Sequence, residues 1–154
     1  MSKFKLILIL IALGVLGYYV IDQVYTSVFM VRSSDYQSNG ERIYFTAASS
    51  SGKPIVPRIG TTMTSQSGLM SCSSCHHADG RGGPGNMMSG IYSSPNIRYS
   101  VLTGGNPPYT DDLIKRAIIK GVDQQGKTLE SPMPVWNMSE EDLNDLMTYL
   151  KTLK

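Results

Sequence analysis

The sequence Cys72-Ser73-Ser74-Cys75-His76 decides the fold of this chain, and it holds both cysteines and one of the two histidines of the protein. Two cysteines three positions apart lie on one side of a helical turn, where both thiols can add to the vinyl groups of a single haem. The histidine that follows at once is placed beneath the iron as its proximal ligand. The spacing therefore predicts one covalent haem c, held by Cys72, Cys75 and His76.

Three other uses of such a cysteine pair are a zinc site, a redox-active dithiol and a structural disulfide. Zinc would need a second pair of ligands at a set spacing, but the remaining histidine, His77, is only the neighbour of His76. A thioredoxin-like dithiol follows a strand in a βαβ pattern, and the glycine-rich sequence around the motif shows no such pattern. Covalent haem is the one interpretation for which the chain supplies every residue that is required.

The sixth coordination position of the iron cannot take a second histidine from this chain. His77 leaves the backbone beside His76 and cannot reach the opposite face of the same haem. A methionine or a weaker ligand must fill the position, or it stays open.

The N-terminal region predicts a membrane anchor. Residues 6–21 form an uncharged, strongly apolar run that follows Lys3 and Lys5. As a helix this run would be about 24 Å long, somewhat shorter than the ~30 Å hydrocarbon core of a bilayer, and flanking apolar residues can supply the remainder. Lysines before the run place the N-terminus in the cytoplasm, so the rest of the chain would lie on the periplasmic or extracytoplasmic side.

This interpretation divides the chain into a single-pass, uncleaved signal-anchor helix over residues 1–31, a connector over 32–37 and a haem domain over 38–154. A cleaved signal peptide is the alternative, because the apolar run is close in length to that of a secretory signal. The near balance of charge, a formal net +2, argues against nucleic acid as a partner.

Three helices are predicted from their caps and apolar spacing. Ser38-Asn39-Gly40-Glu41 is typical of a capping box that opens a helix through about Ala47. Thr110 can cap a second helix that ends before Gly121. Ser139 can open the last one, whose apolar residues recur at helical spacing: Leu143, Leu146, Met147, Leu150 and Leu153.

Glycine and proline predict loops between these helices, at residues 79–85 and 104–108. A chain so rich in loops buries little core of its own, so the haem would be the nucleus around which short helices pack. The expected fold is a small all-α domain around one covalent haem, preceded by an N-terminal transmembrane helix.

The pattern resembles the class I cytochromes c, in the subgroup that carries one haem on a membrane-anchored domain. The resemblance covers residues 38–154 and rests on five stretches: Gly40-Glu41-Arg42-Ile43-Tyr44-Phe45, the Cys72 to His76 motif, Gly121-Val122-Asp123 with Gly126-Lys127, Met133-Pro134 and Tyr149-Leu150. It implies that the first and last helices cross where Gly40, lacking a side chain, meets Tyr149.

The resemblance also implies a sixth ligand. Met133 lies between two prolines before the last helix, as the ligand methionine does in the family, so His76 and Met133 are expected to bind the iron. Met87 and Met88 follow the haem motif too closely to circle round easily. Methionine is also a common core filler, which is the competing interpretation for any one of them.

As a function, the resemblance implies an electron carrier without substrate chemistry. It would work on the oxidising side of a respiratory or similar chain, between membrane redox complexes or as their haem subunit, in contact with membrane lipid. A haem-based sensor or a peroxidase-like enzyme with an open sixth position is the alternative.

Two features depart from the family pattern. Residues 48–71 are an insertion between the opening helix and the haem motif. It could wrap the haem or dock a partner, and a solvated loop is the default expectation. His77 stands where glycine is common, and it is expected to be exposed. The sequence does not identify which residues donate hydrogen bonds to the haem propionates, and four are candidates: Arg58, Arg98, Tyr109 and Trp136.

Overall fold

The computed structural model describes residues 13–21, 36–53, 55–59, 62–63, 70–87 and 90–154. The chain divides into two units, residues 1–35 and residues 36–154.

The predicted transmembrane anchor is corrected by the structure. Residues 13–21 are helical (α1), with exposed apolar side chains such as Leu16 and Ile21. Within the described ranges no helix has the length and apolar character needed to span a bilayer. The prediction of a single-pass membrane anchor was therefore wrong, and the extracytoplasmic placement loses the helix from which it was derived. Residues 1–12 and 22–31 of the predicted anchor lie outside the described residues.

The second unit contains five helices among its described residues: α2 (Asn39–Thr46), α3 (Cys72–His76), α4 (Tyr99–Thr103), α5 (Asp111–Lys120) and α6 (Glu140–Leu150). It also contains five strands: β1 (Val56–Ile59), β2 (Thr62–Met63), β3 (Gly83–Met87), β4 (Gly90–Ser94) and β5 (Val135–Asn137). They form two antiparallel sheets, one in the order β2-β1-β5 and one hairpin of β3 and β4.

The prediction of an all-α domain was wrong because two stretches expected to be loops pair as strands. The insertion contributes β1 and β2, and the glycine-rich stretch 79–85 runs into β3. In β3 the glycines permit the pairing. Gly83 has a φ of 135°, and a Cβ on Gly85 would come within 2.8 Å of Tyr92 Cε2 on the facing strand.

The three helix starts predicted from the sequence are confirmed. Ser38 Oγ accepts a hydrogen bond from the Glu41 amide at 3.1 Å. Thr110 and Ser139 accept from the amides of the third residue after each of them, at 3.3 and 3.2 Å. Gly121 ends α5 with a left-handed φ of 67°.

The opening and closing helices cross at a glycine, as the family resemblance implied. α2 packs against α6. A Cβ placed on Gly40 would lie 2.6 Å from the carbonyl carbon of Asp145 and 3.0 Å from Tyr149 Cβ, with the carbonyl oxygen of Asp145 nearer still. The backbones therefore touch where a side chain on α2 is absent.

The insertion contributes to the core. Ile55 is 1 % exposed and Pro57 is fully buried. Opposite Pro57 lies Trp136 of β5, which is also buried. The expectation of a solvated loop is therefore wrong for this part of the insertion.

A buried carboxylate joins the opening helix, the start of the insertion and the last helix. Asp142 in α6 is 2 % exposed. It accepts hydrogen bonds from Asn39 Nδ2 at 3.1 Å, from the hydroxyl of Ser49 and from Ser139 Oγ at 2.7 Å. Burial by itself would raise the pKa of this carboxyl, but the three donors outweigh it and hold the pKa below its ordinary value.

We expect the free energy of unfolding to fall as the pH drops below about 4. The pKa of Asp142 is lower in the folded state than the ~3.9 of an unfolded chain, so its stabilisation is complete above that value and is lost as pH falls through the folded-state pKa. Asp142→Asn should lower the free energy of unfolding by about 2 kcal/mol at neutral pH, because it disturbs a buried hydrogen-bond network.

Urea unfolding followed from neutral pH into acid measures both effects. Asp142→Asn should flatten the acid dependence, whereas Asp112→Asn, at an exposed carboxylate on α5, should keep the wild-type profile. If the free energy of unfolding depended on pH in the same way in both variants, the assignment of this effect to Asp142 would be contradicted.

Candidate haem site

The predicted attachment residues share one helical turn. α3 consists of Cys72, Ser73, Ser74, Cys75 and His76, and both cysteines are free and half-buried. The spacer serines help to close the turn, since the Ser71 amide donates to Ser74 Oγ at 3.1 Å. The two thiols and the imidazole therefore leave a single short helix.

The surroundings of the first cysteine are apolar. Cys72 packs against the hydrophobic core, and burial raises the pKa of its thiol to about 12. A site that favours an uncharged sulfur suits a thioether, which carries no charge, and opposes a zinc thiolate. The residues present therefore fit a covalently attached haem.

The histidine is held in the form that can bind iron. His76 is 5 % exposed, and its Nδ1 lies 3.0 Å from the carbonyl oxygen of Pro95. Because a carbonyl can only accept, Nδ1 carries the hydrogen and Nε2 keeps its lone pair. Burial lowers the pKa of His76, which keeps the ring neutral. The geometry therefore leaves the Nε2 lone pair available to a metal ion, and His76 as the iron ligand remains a prediction.

The carbonyl of Pro95 can reach His76 because Gly82, which has no side chain, packs directly against the main chain at Pro95. Gly82 has a φ of 67°, and a Cβ there would lie 2.8 Å from the carbonyl carbon of Pro95, with two carbonyl oxygens nearer. The Gly82 amide donates to the His76 carbonyl at 3.0 Å. No sequence signal marks Pro95, because a proline in a connecting segment is common in any protein.

The β3–β4 hairpin lies against the haem motif. Tyr92 in β4 donates its hydroxyl hydrogen to Cys75 Sγ at 3.4 Å. The ring passes over Gly85, which has no side chain to obstruct it. Sequence analysis does not single out Tyr92, because it predicts no hairpin in this part of the chain.

A second tyrosine fixes the end of the motif to the opening helix. Tyr44 in α2 is fully buried and donates to the carbonyl of His77 at 2.7 Å. Burial raises the pKa of Tyr44 above its ordinary value, so the phenol remains a donor at neutral pH. The side chain of His77 is exposed, as predicted.

Met133 lies in the segment that leads into β5. Its side chain is half-buried against the same hydrophobic core as Cys72, and its amide donates to the Glu130 carbonyl at 3.1 Å. Pro134, next in the chain, is buried. Met70 and Met138 also pack on this core, so Met133 remains a prediction as the sixth ligand.

The four candidate donors to the haem propionates differ in how far they are exposed to solvent. Trp136 is buried and Arg58 is exposed, whereas Arg98 and Tyr109 are half-buried. Arg98 Nε donates to Asn96 Oδ1 at 3.2 Å, so part of its guanidinium is already engaged.

Comparison with known protein families shows that the model of the cytochrome c family matches residues 37–154. No curated protein and no solved structure matches the chain significantly. The family match spans most of the chain and all the residues of the site described above. This chain therefore belongs to the cytochrome c family, and it is a haem-based electron-transfer protein with covalently bound haem c.

Proposed function

We propose that this protein is an electron carrier in which His76 and Met133 would be the two protein ligands of the haem iron and which exchanges electrons with partner redox proteins. When bound, the haem supplies one-electron chemistry, as its iron passes between Fe(II) and Fe(III). The observation that carries the proposal is the buried, neutral imidazole of His76, fixed through Nδ1 to the main chain.

A carrier needs ligands that keep one arrangement in both oxidation states. The hydrogen bond to Pro95 sets the orientation of the His76 ring and increases the basicity of Nε2. Tyr44 holds the following residue through its main chain, so α3 cannot shift easily against α2. These contacts support a rigid proximal side.

The proposed sixth ligand, Met133, has no ionisable proton. The thioether of Met133 is neutral, so electron exchange there involves no protonation of the ligand. A methionine and histidine pair also raises the reduction potential, which suits a carrier that accepts electrons from moderately reducing partners.

Met133→Ala tests this function. The wild-type ferric protein should be low-spin and show the weak near-infrared band of sulfur–iron ligation, and the ferrous protein should resist carbon monoxide. The variant should lose the band, bind carbon monoxide and have a reduction potential lower by on the order of 100 mV, because a soft ligand that favours Fe(II) is gone.

Met138→Ala is the matched control, since this methionine is also half-buried against the core. It should keep the band and the potential. A high-spin wild type that binds carbon monoxide readily would contradict the carrier and favour a sensor or a peroxidase-like enzyme. A low-spin wild type whose band survives Met133→Ala would refute only the ligand assignment.

A further inference from the structure

We infer that strand β1 of the insertion positions the segment that carries Met133 and thereby holds its sulfur on the iron. The inference rests on the proposed function, since it takes Met133 as the sixth ligand. Residue Ile55, beside β1, is then a positioning residue for that ligand.

The register of the sheet places the insertion next to the methionine segment. β5 begins two residues after Met133, and its pairing partner is β1. Val56 lies opposite Asn137, and Arg58 lies opposite Val135. β5 is an edge strand, so β1 is the neighbour that fixes its main chain within the sheet.

Packing on one face of this pair reinforces the main-chain pairing. Ile55 and Pro57, two positions apart, are both buried, and Trp136 is buried opposite Pro57. Arg58, between Pro57 and the end of the strand, is exposed. The buried residues of the two paired strands therefore lie on the same face of the sheet, against the hydrophobic core.

Met133 lies between two fixed points of the main chain. On its N-terminal side, its amide is bonded to the carbonyl of Glu130 at 3.1 Å. On its C-terminal side, β5 is held by β1 and packs against α5, where Val135 lies over Gly121. Loss of β1 would remove the sheet contact from the second of these points.

A weak neutral ligand depends on such support. A thioether makes one bond to iron, and it competes with water and added ligands for the position. If the segment can move, part of the favourable energy of that bond is lost in ordering the loop, so preorganisation by β1 keeps the sulfur bound.

Two identical substitutions at equally buried sites test the inference. Ile55→Ala removes the same atoms as Ile43→Ala, and both isoleucines are 1 % exposed. Ile43 lies in α2, which packs on α6 and α3 and not on β5 among its main contacts. Both variants should be less stable, so stability alone cannot separate a positioning role from a structural one.

In the folded holoprotein, Ile55→Ala should weaken the near-infrared band and bind carbon monoxide at least tenfold faster than wild type. Ile43→Ala should stay within about twofold of wild type in both measurements. Amide hydrogen exchange of Met133 and of residues 135–137 should speed up in Ile55→Ala only, and Ile55→Val, which keeps most of the volume, should restore the wild-type values.

Equal spectral and exchange behaviour of the two alanine variants would overturn the inference. If Ile55→Ala does not fold, Arg58→Gly weakens β1 from its exposed face, with Ser93→Gly in the other sheet as its control. Arg58→Gly should shift the band in the same direction, and an unchanged band would also overturn the inference. A wild type that lacks the band would instead refute the proposed function, so the two failures are distinguishable.

Discussion

Replacing Cys72 and Cys75 together by alanine should give a chain that carries no covalent haem and does not fold stably. Both thioether bonds are lost, and the apolar side chains packed around the motif lose the group that completes their core. In small domains the binding energy of such a group is folding free energy. Haem staining on denaturing gels and the mass of the protein report attachment, and circular dichroism reports the fold.

Ser73→Ala is the control for this change, because it lies on the same helical turn and leaves both thiols in place. It should retain one haem, the wild-type mass and a cooperative thermal transition. A double cysteine variant that lacks haem but melts cooperatively with native helix content would show that the polypeptide core is sufficient by itself.

Gly40→Ala should lower the free energy of unfolding by about 3 kcal/mol or more, at the upper end for overpacking. The added methyl group meets the main chain of Asp145, which cannot rotate aside as a side chain can. α2 and α6 must move apart, which exposes the buried faces of both. Urea unfolding of the holoprotein measures the loss.

Gly105→Ala provides the comparison within the same unit. A Cβ at Gly105 would have no neighbour closer than 3.5 Å, an ordinary contact distance. This variant should stay within about 0.5 kcal/mol of wild type. If Gly40→Ala and Gly105→Ala lost similar amounts of unfolding free energy, α2 and α6 would be able to move apart at little cost.

The helices were predictable because their signals are local. Ser38, Thr110 and Ser139 each cap a helix by accepting a hydrogen bond from an amide three residues later. Neighbouring residues in the sequence are sufficient to recognise such a pattern. The crossing at Gly40 was available only through the family resemblance, since nothing near Gly40 in the sequence specifies its contact with α6.

The sheets were not predictable from local pattern. β1 and β5 lie far apart in the sequence, and each is too short to show an alternation. Glycine in the β3 region indicated a loop, although there it gives room to Tyr92. For the anchor, the prediction rested on the apolar character of the run alone, and the described residues contain no helix with the length and apolar character needed to span a bilayer.

The haem-binding motif was visible in the sequence because its chemistry requires a fixed spacing of Cys72, Cys75 and His76. Its supporting residues were not, because Pro95 acts through its main chain and Tyr92 through a contact that depends on the hairpin. Residues that act through backbone atoms leave no side-chain signature.

This dependence on a backbone oxygen determines which mutations can harm the proximal ligand. No side-chain replacement at position 95 removes a carbonyl group, so that position can vary chemically while the acceptor persists. Gly82 has no such freedom, since any Cβ there meets the main chain that carries the acceptor. Mutations that weaken the support of His76 are therefore expected at Gly82, which gives the acceptor its space, and not at Pro95, whose carbonyl accepts the hydrogen bond.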